Sequence, residues 1–225
     1  MGIQETLFEK LMDSDRKGAN EVLMQWIASD DYNDLLVDVL APVLRHLGEM
    51  WASEEFSLAH SYVASKVIED AFQNAILEKG LDSDAFTKGP VVLGNIEDDC
   101  HPLGRRIVSA FLKANGWIVH DLGIDVDAET FVDKAVETGA KIIGVSAMIF
   151  TTAENIRHLR ALLDERGLSG RIQMAVGGAV FRLRPELVKA VGGDGSAPDA
   201  VNVPALFDTL WAQAENAELE ERVKP

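Results

Sequence analysis

The chain has 225 residues, 47% of them hydrophobic, and its 21 basic and 37 acidic side chains leave a net charge of −16. That size and apolar content suffice for a core and for one or two domains, while so acidic a balance excludes binding to nucleic acid or to an anionic membrane, which needs clustered Lys and Arg. One cysteine, Cys100, excludes a disulfide framework and a Cys-based zinc site, and no apolar run reaches the ~18 residues of a membrane span.

The first stretch, M-G-I-Q-E-T-L-F-E-K, is amphipathic and acidic and unlike a signal peptide, so a cytoplasmic protein is expected. Residues 1–80 show no strand-like alternation. Apolar residues recur at three- and four-residue spacings, as in Leu35, Leu36, Val39, Leu40, Val43, Leu44, Leu47 and again in Val63, Val67, Ile68, Phe72. This predicts four to five helices in a small bundle, with Asp13 and Ser14 as caps before the second. Residues 81–89 lie in a stretch rich in Gly, Asp and Ser that loses the period and reads as a linker.

From residue 90 to 225 short apolar runs alternate with helical stretches. V-V-L-G-N-I precedes a helix at about 103–115. W-I-V-H-D-L-G (117–123) precedes one at about 127–138, and K-I-I-G-V-S (141–146) one from about 153 to 166. R-I-Q-M-A-V-G-G (171–178) leads to a helix near 184–191, and a short strand near 199–202 precedes the last helix, about 204–221. Alternating strands and helices predict a parallel α/β sheet of five strands, flavodoxin-like (Rossmann-like), behind the N-terminal α-helical bundle. Ligands of such sheets sit at the carboxyl ends of the strands, at the switch point.

Three loops meet there. After the first strand stand Asp99, His101, Pro102, Leu103 and Gly104. After the third stand Ser146, Met148, Thr151 and Thr152, and after the fourth Gly177 and Gly178. Taken singly these are a polar loop, a capping serine and a tight turn. Together, D-C-H-P-L-G resembles the D-x-H-x-x-G signature of cobalamin-binding domains of the methionine synthase and methyltransferase corrinoid-protein type. That family continues with S-x-L and G-G. Here 41 residues separate Gly104 from Ser146 and 28 separate Met148 from Gly177, and both spacings fit. Met148 stands for Leu, a volume-conserving exchange. G-G-D-G (Gly192–Gly195) resembles a further family segment, with Gly193 where Ala is usual.

The resemblance implies cobalamin bound with its own base displaced and His101 as the lower axial ligand of cobalt. Asp99 would fix the imidazole from its other nitrogen. Thr152, or next Thr151, would extend the relay, and Ser146, Gly104, Gly177 and Gly178 would line the displaced nucleotide tail. The same family carries an N-terminal helical module over the upper corrin face, and Val43–Ser65 is similar to its most recognisable stretch. Trp51 and Phe56 are the candidate upper-face contacts, beside an alternative place in the bundle core. His60 is read as a partly buried histidine or as a group near that face. The Arg105-Arg106 pair opens a helix where many members carry Lys or Asn; it reads as a solvated helix face, or as a contact for corrin propionamides or for an acidic partner.

The implied function is that of a corrinoid methyl carrier without catalytic residues of its own. It would cycle between cob(I)alamin and methylcobalamin, with substrate and acceptor methyltransferases and a reductive activator as partners. A regulatory or photosensory module using adenosylcobalamin is the alternative. The photosensors carry a His after the Trp and a Glu-His pair ten residues on, where this chain has Ala52 and Ser61-Tyr62.

Overall fold

A computed structural model describes residues 2–29, 39, 42, 43, 46, 50, 60, 63, 64, 66, 67, 70 and 87–223. The chain divides into two compact units, Met1–Phe86 and Thr87–Pro225.

In the first unit, α1 (Ile3–Met12) and α2 (Arg16–Ser29) bury Leu7, Leu11, Ala19 and Leu23. The cap of α2 is Asp15, not Asp13 or Ser14: its Oδ1 accepts from the Gly18 N–H at 2.9 Å. Ser14 instead takes the left-handed turn between the helices, at φ 57°. Only Asp15 is then close enough to the orphan N–H groups of the first turn. Asp70 binds the Arg16 guanidinium with both oxygens and the Asn20 amide with one, tying a distant segment to α2.

The second unit is built on four parallel strands: β1 (Lys88–Asn95), β2 (Trp117–Asp121), β3 (Ile142–Ser146) and β4 (Gln173–Gly177), in the order β2-β1-β3-β4. The helices α3 (Leu103–Ala114), α4 (Ala128–Thr138) and α5 (Phe150–Glu165) follow the first three strands. After β4 come α6 (Ala179–Leu183) and α7 (Leu187–Ala190), and α8 (Val203–Val223) closes the unit. Alternate strand residues serve opposite faces. Val91, Leu93, Ile142 and Ala175 pack with Leu112, Phe207 and Leu210 of α3 and α8. Val92, Ile143, Val145, Met174 and Val176 pack with Phe131, Val132, Ile156 and Leu159 of α4 and α5. Both faces are covered, which is why the strands read as unbroken apolar runs.

Two expectations are corrected. The sheet has four strands, not five, because residues 200–202 form a 3-10 turn. Asp199 caps that turn by accepting from the Asn202 N–H, and Pro204 follows. Among the described residues, the free edge of β4 meets one isolated parallel bridge, Ala175 to Gly195. The helix expected at 184–191 is shortened to α7, Leu187–Ala190, and the unforeseen α6 precedes it; the two are separated because Pro185 pushes Arg184 to an extended φ of −136° and ψ of 76°. Helix α5 starts at Phe150 rather than near 153. Among the described residues, no helix is long and apolar enough to cross a membrane.

Gly178 closes β4 at φ 113° and ψ 170°, a region open essentially to glycine. A Cβ there would stand 2.0 Å from the Ala147 carbonyl oxygen of the neighbouring loop. Gly178→Ala is therefore expected to cost at least about 3 kcal/mol, combining backbone strain with a steric clash. Urea unfolding of the apoprotein measures it; a loss below about 1 kcal/mol would contradict this geometry.

Candidate cofactor site at the strand ends

β1 and β3 are neighbours whose following helices lie on opposite faces, so a crevice opens at their carboxyl ends. The loop after β1 enters it through a turn with Asp98 at φ 68°. That turn is tied down from two sides. The Asp98 N–H donates to Asp125 Oδ1 at 2.8 Å, and the Asn155 amide of α5 donates to the Glu97 carbonyl at 3.1 Å. The Asp125 N–H donates to the Asp99 carbonyl at 3.1 Å.

Asp99 is fully buried, and its carboxylate is met by groups that can donate. Its Oδ1 accepts from the His101 N–H at 2.9 Å and from the Asn95 amide at 3.2 Å, and lies 3.2 Å from His101 Nδ1. Its Oδ2 accepts from the Met148 N–H. Thr152 Oγ1 lies 3.4 Å from Oδ2 and 3.0 Å from the Ile149 carbonyl, so its single proton serves one of them at a time. A carboxylate so placed favours a proton on His101 Nδ1, leaving Nε2 with a free lone pair. The His101 side chain is 43% exposed, so the ring is anchored at one nitrogen and accessible.

The carbonyl of His101 is held as well, by the Asn95 amide at 3.0 Å. Asn95 is the last residue of β1 and has no exposed surface. Its Oδ1 accepts from Arg105 Nε at 2.8 Å, and Arg105 also pairs with Asp121 at the end of β2. Burial pushes the Arg105 guanidinium down to about 10, with the neighbouring Arg106 charge adding to the shift, and it stays cationic at neutrality. Sequence reasoning missed Asn95 and read Arg105 as exposed. The available signal was the pairing of Asn95, the last polar residue of a buried strand, with the first turn of the helix that follows it.

The other expected residues fall as follows. Pro102 precedes α3, whose first residues are Leu103 and Gly104. Ser146 pairs with Asn95 and with Gly177 in register, so the three strand ends are level. Thr152 is buried against the carboxylate, whereas Thr151 is exposed on the first turn of α5. Gly104, Gly123 and Gly177 have no atom within 4 Å of where a Cβ would stand. Cys100 is exposed between its two neighbours. Trp51 and Phe56 lie outside the described residues, whereas His60 is half-buried in its own unit.

Around this rim stand exposed apolar side chains: Ile124 after β2, Ile149 and Phe150 after β3, and Leu183 after β4. The Arg184 guanidinium lies 5.4 Å from the Phe150 ring centroid. An accessible imidazole nitrogen, open space beside glycines and an apolar rim suit a flat ligand with a central metal and a long tail. The donor set therefore fits a corrin cofactor.

Comparison with known proteins points the same way. A B12 binding domain family model matches residues 89–204, and a second B12 binding domain model matches residues 3–75. Dimethylamine corrinoid protein 2 of Methanosarcina mazei is 35% identical over 148 residues, 65% of this chain and 68% of that protein. A corrinoid protein of Desulfitobacterium hafniense is 33% identical over 208 residues, 90% of this chain and 96% of that protein. The monomethylamine corrinoid protein of Methanosarcina barkeri shares the fold, with a TM-score of 0.72, 22% identity and coverage of 92% of this chain and 98% of that one. The methanol:cobalamin methyltransferase complex of the same organism contains a similar fold, at a TM-score of 0.52 and 23% identity over 93% of this chain and 80% of that one.

Proposed function

The chain belongs to the B12-binding domain family, and on that premise we propose that it is a corrinoid protein carrying a methyl group between two methyltransferases. The observation that carries the reading is the Asp99–His101 pair, one imidazole nitrogen on a buried carboxylate and the ring otherwise accessible at the switch point of the sheet. When bound, cobalamin supplies the cobalt that accepts a methyl group from one partner and gives it up to the next.

The chain's own residues hold and tune. His101 offers Nε2 as the axial donor, and Asp99 keeps the proton on Nδ1 and so fixes the direction of the lone pair. Thr152 stands within reach of the same carboxylate and can take up or return a hydrogen bond as the charge on the imidazole changes. Gly104 and Gly177 leave room beside the strand ends for a ligand tail, and the exposed apolar side chains after β2 and β3 offer surface to a flat ring. Turnover belongs to partner methyltransferases, with a reductive activator to restore the reduced metal. The single cysteine suits a cytoplasmic setting. Its relatives are named as corrinoid proteins, two of them of methylamine systems, which favours the carrier over a regulatory module.

Reconstitution with hydroxocobalamin followed by gel filtration is expected to leave one corrinoid per chain. The loaded protein should then accept a methyl group in the presence of a corrinoid-specific methyltransferase. Failure to retain the corrinoid would overturn the reading. Retention with a light-dependent change of mass and no methyl exchange would replace the carrier by a sensor.

A further inference from the structure

Arg105 is 6% exposed, on a helix whose next residue, Arg106, faces another way. Burying a guanidinium costs more than burying an apolar side chain of like volume, so its place invites a reason beyond stability. We propose that Arg105 is a positioning residue for His101, acting through Asn95 on the Asp99–His101 pair. The inference rests on the reading of His101 as the cofactor's ligand.

The coupling runs through the Asn95 amide. Its oxygen faces Arg105 Nε at 2.8 Å. Its nitrogen faces two acceptors, Asp99 Oδ1 at 3.2 Å and the His101 carbonyl at 3.0 Å. Turned over, the amide would set an NH2 against the guanidinium and an oxygen against two oxygens. Arg105 on one side and the two acceptors on the other thus agree on which way Asn95 points. Asn95 in turn braces the loop at two points, one on the carboxylate that aligns the imidazole and one on the backbone of His101 itself. The guanidinium polarises the amide and strengthens its two donations, as a chain of hydrogen bonds does in a low dielectric. Arg105 is held from behind by Asp121, whose Oδ1 also accepts from the Gly123 N–H at 3.0 Å. The end of β2 therefore reaches His101 through α3 and β1, across four side chains that include Asp99.

Without Arg105 the Asn95 oxygen loses its donor in a buried site, the amide is no longer braced or polarised, its hold on Asp99 Oδ1 loosens, and the imidazole is less closely confined to one tautomer. Long-range 1H–15N NMR of the apoprotein, at a pH where the imidazole is neutral, reads this directly. The His101 signals are identified by their loss in His101→Gln. The wild type is expected to show one tautomer, with the proton on Nδ1. In Arg105→Met the other tautomer rises at least tenfold, and Arg105→Lys, which keeps one donor, restores part of the bias. Asp121 is 30% exposed, so Asp121→Asn loosens Arg105 from an accessible site and gives an intermediate shift. It carries the test if the methionine variant does not fold. An unchanged tautomer ratio in a folded Arg105→Met or Asp121→Asn chain, or mixed tautomers in the wild type, overturns the proposal. Because no cobalamin is present, that result stands apart from corrinoid uptake, whose failure would remove the ligand reading on which the role depends.

Discussion

His101→Ala is expected to abolish axial nitrogen coordination while leaving the fold intact. The side chain is 43% exposed and makes one contact through Nδ1, so its removal leaves no cavity in either core. The loop keeps its shape, because the His101 N–H and carbonyl remain bound to Asp99 and Asn95. Co(II) EPR of the protein reconstituted with cobalamin should show splitting from one nitrogen in the wild type and none in the variant. The loss of corrinoid affinity should exceed the roughly 10–100-fold that follows removal of an outer partner of a metal ligand. Methyl exchange with a partner methyltransferase should fall with it. Nitrogen splitting that survives in His101→Ala would assign the axial role to another group.

The second large effect is Asp99→Asn, and it is expected in the apoprotein. Asp99 is an acceptor surrounded by donors. An asparagine of the same shape must aim its NH2 somewhere. On one side it meets the Met148 N–H, on the other the His101 N–H and the Asn95 amide. Either choice leaves buried donors unmatched, at about 1–3 kcal/mol each. The expected loss is roughly 2–5 kcal/mol in urea unfolding, with Tm lowered by roughly 5–15 °C. A loss below about 1 kcal/mol would mean that the loop relaxes to rehydrate the site. The contrast between the two substitutions separates roles: the histidine serves the ligand, and the aspartate serves the loop that presents it.

Much of the sheet domain was legible because its signals are local. Short unbroken apolar runs announce the four strands, and Gly139 at φ 70° ends α4 where the helical pattern stops. The fifth strand was misread because Ala200-Val201-Asn202-Val203 looks apolar, whereas Asp199 and Pro204 turn the segment before it can pair. The choice between Thr151 and Thr152 could not be made from spacing. It depends on where α5 begins, and the start at Phe150 turns Thr152 inward and Thr151 to solvent. Arg105 and Arg106 are the same residue type in adjacent positions, and about 100° of helical rotation sends them to different environments.

The sequence by itself determined the class of the fold, the loop that carries the chemistry and the family to which it belongs. Those rest on residue types at fixed spacings: a carboxylate two residues before a histidine, and glycines where strands end. Only the tertiary structure decided which groups build the network around the carboxylate, because Met148, Thr152, Asn95 and, behind Asn95, Arg105 come from three different elements and one loop. Their convergence depends on the register of parallel strands, with Asn95 level with Ser146 and Ser146 level with Gly177. A polar network closes through space and leaves no period along the chain, so it becomes visible only when the strands are side by side.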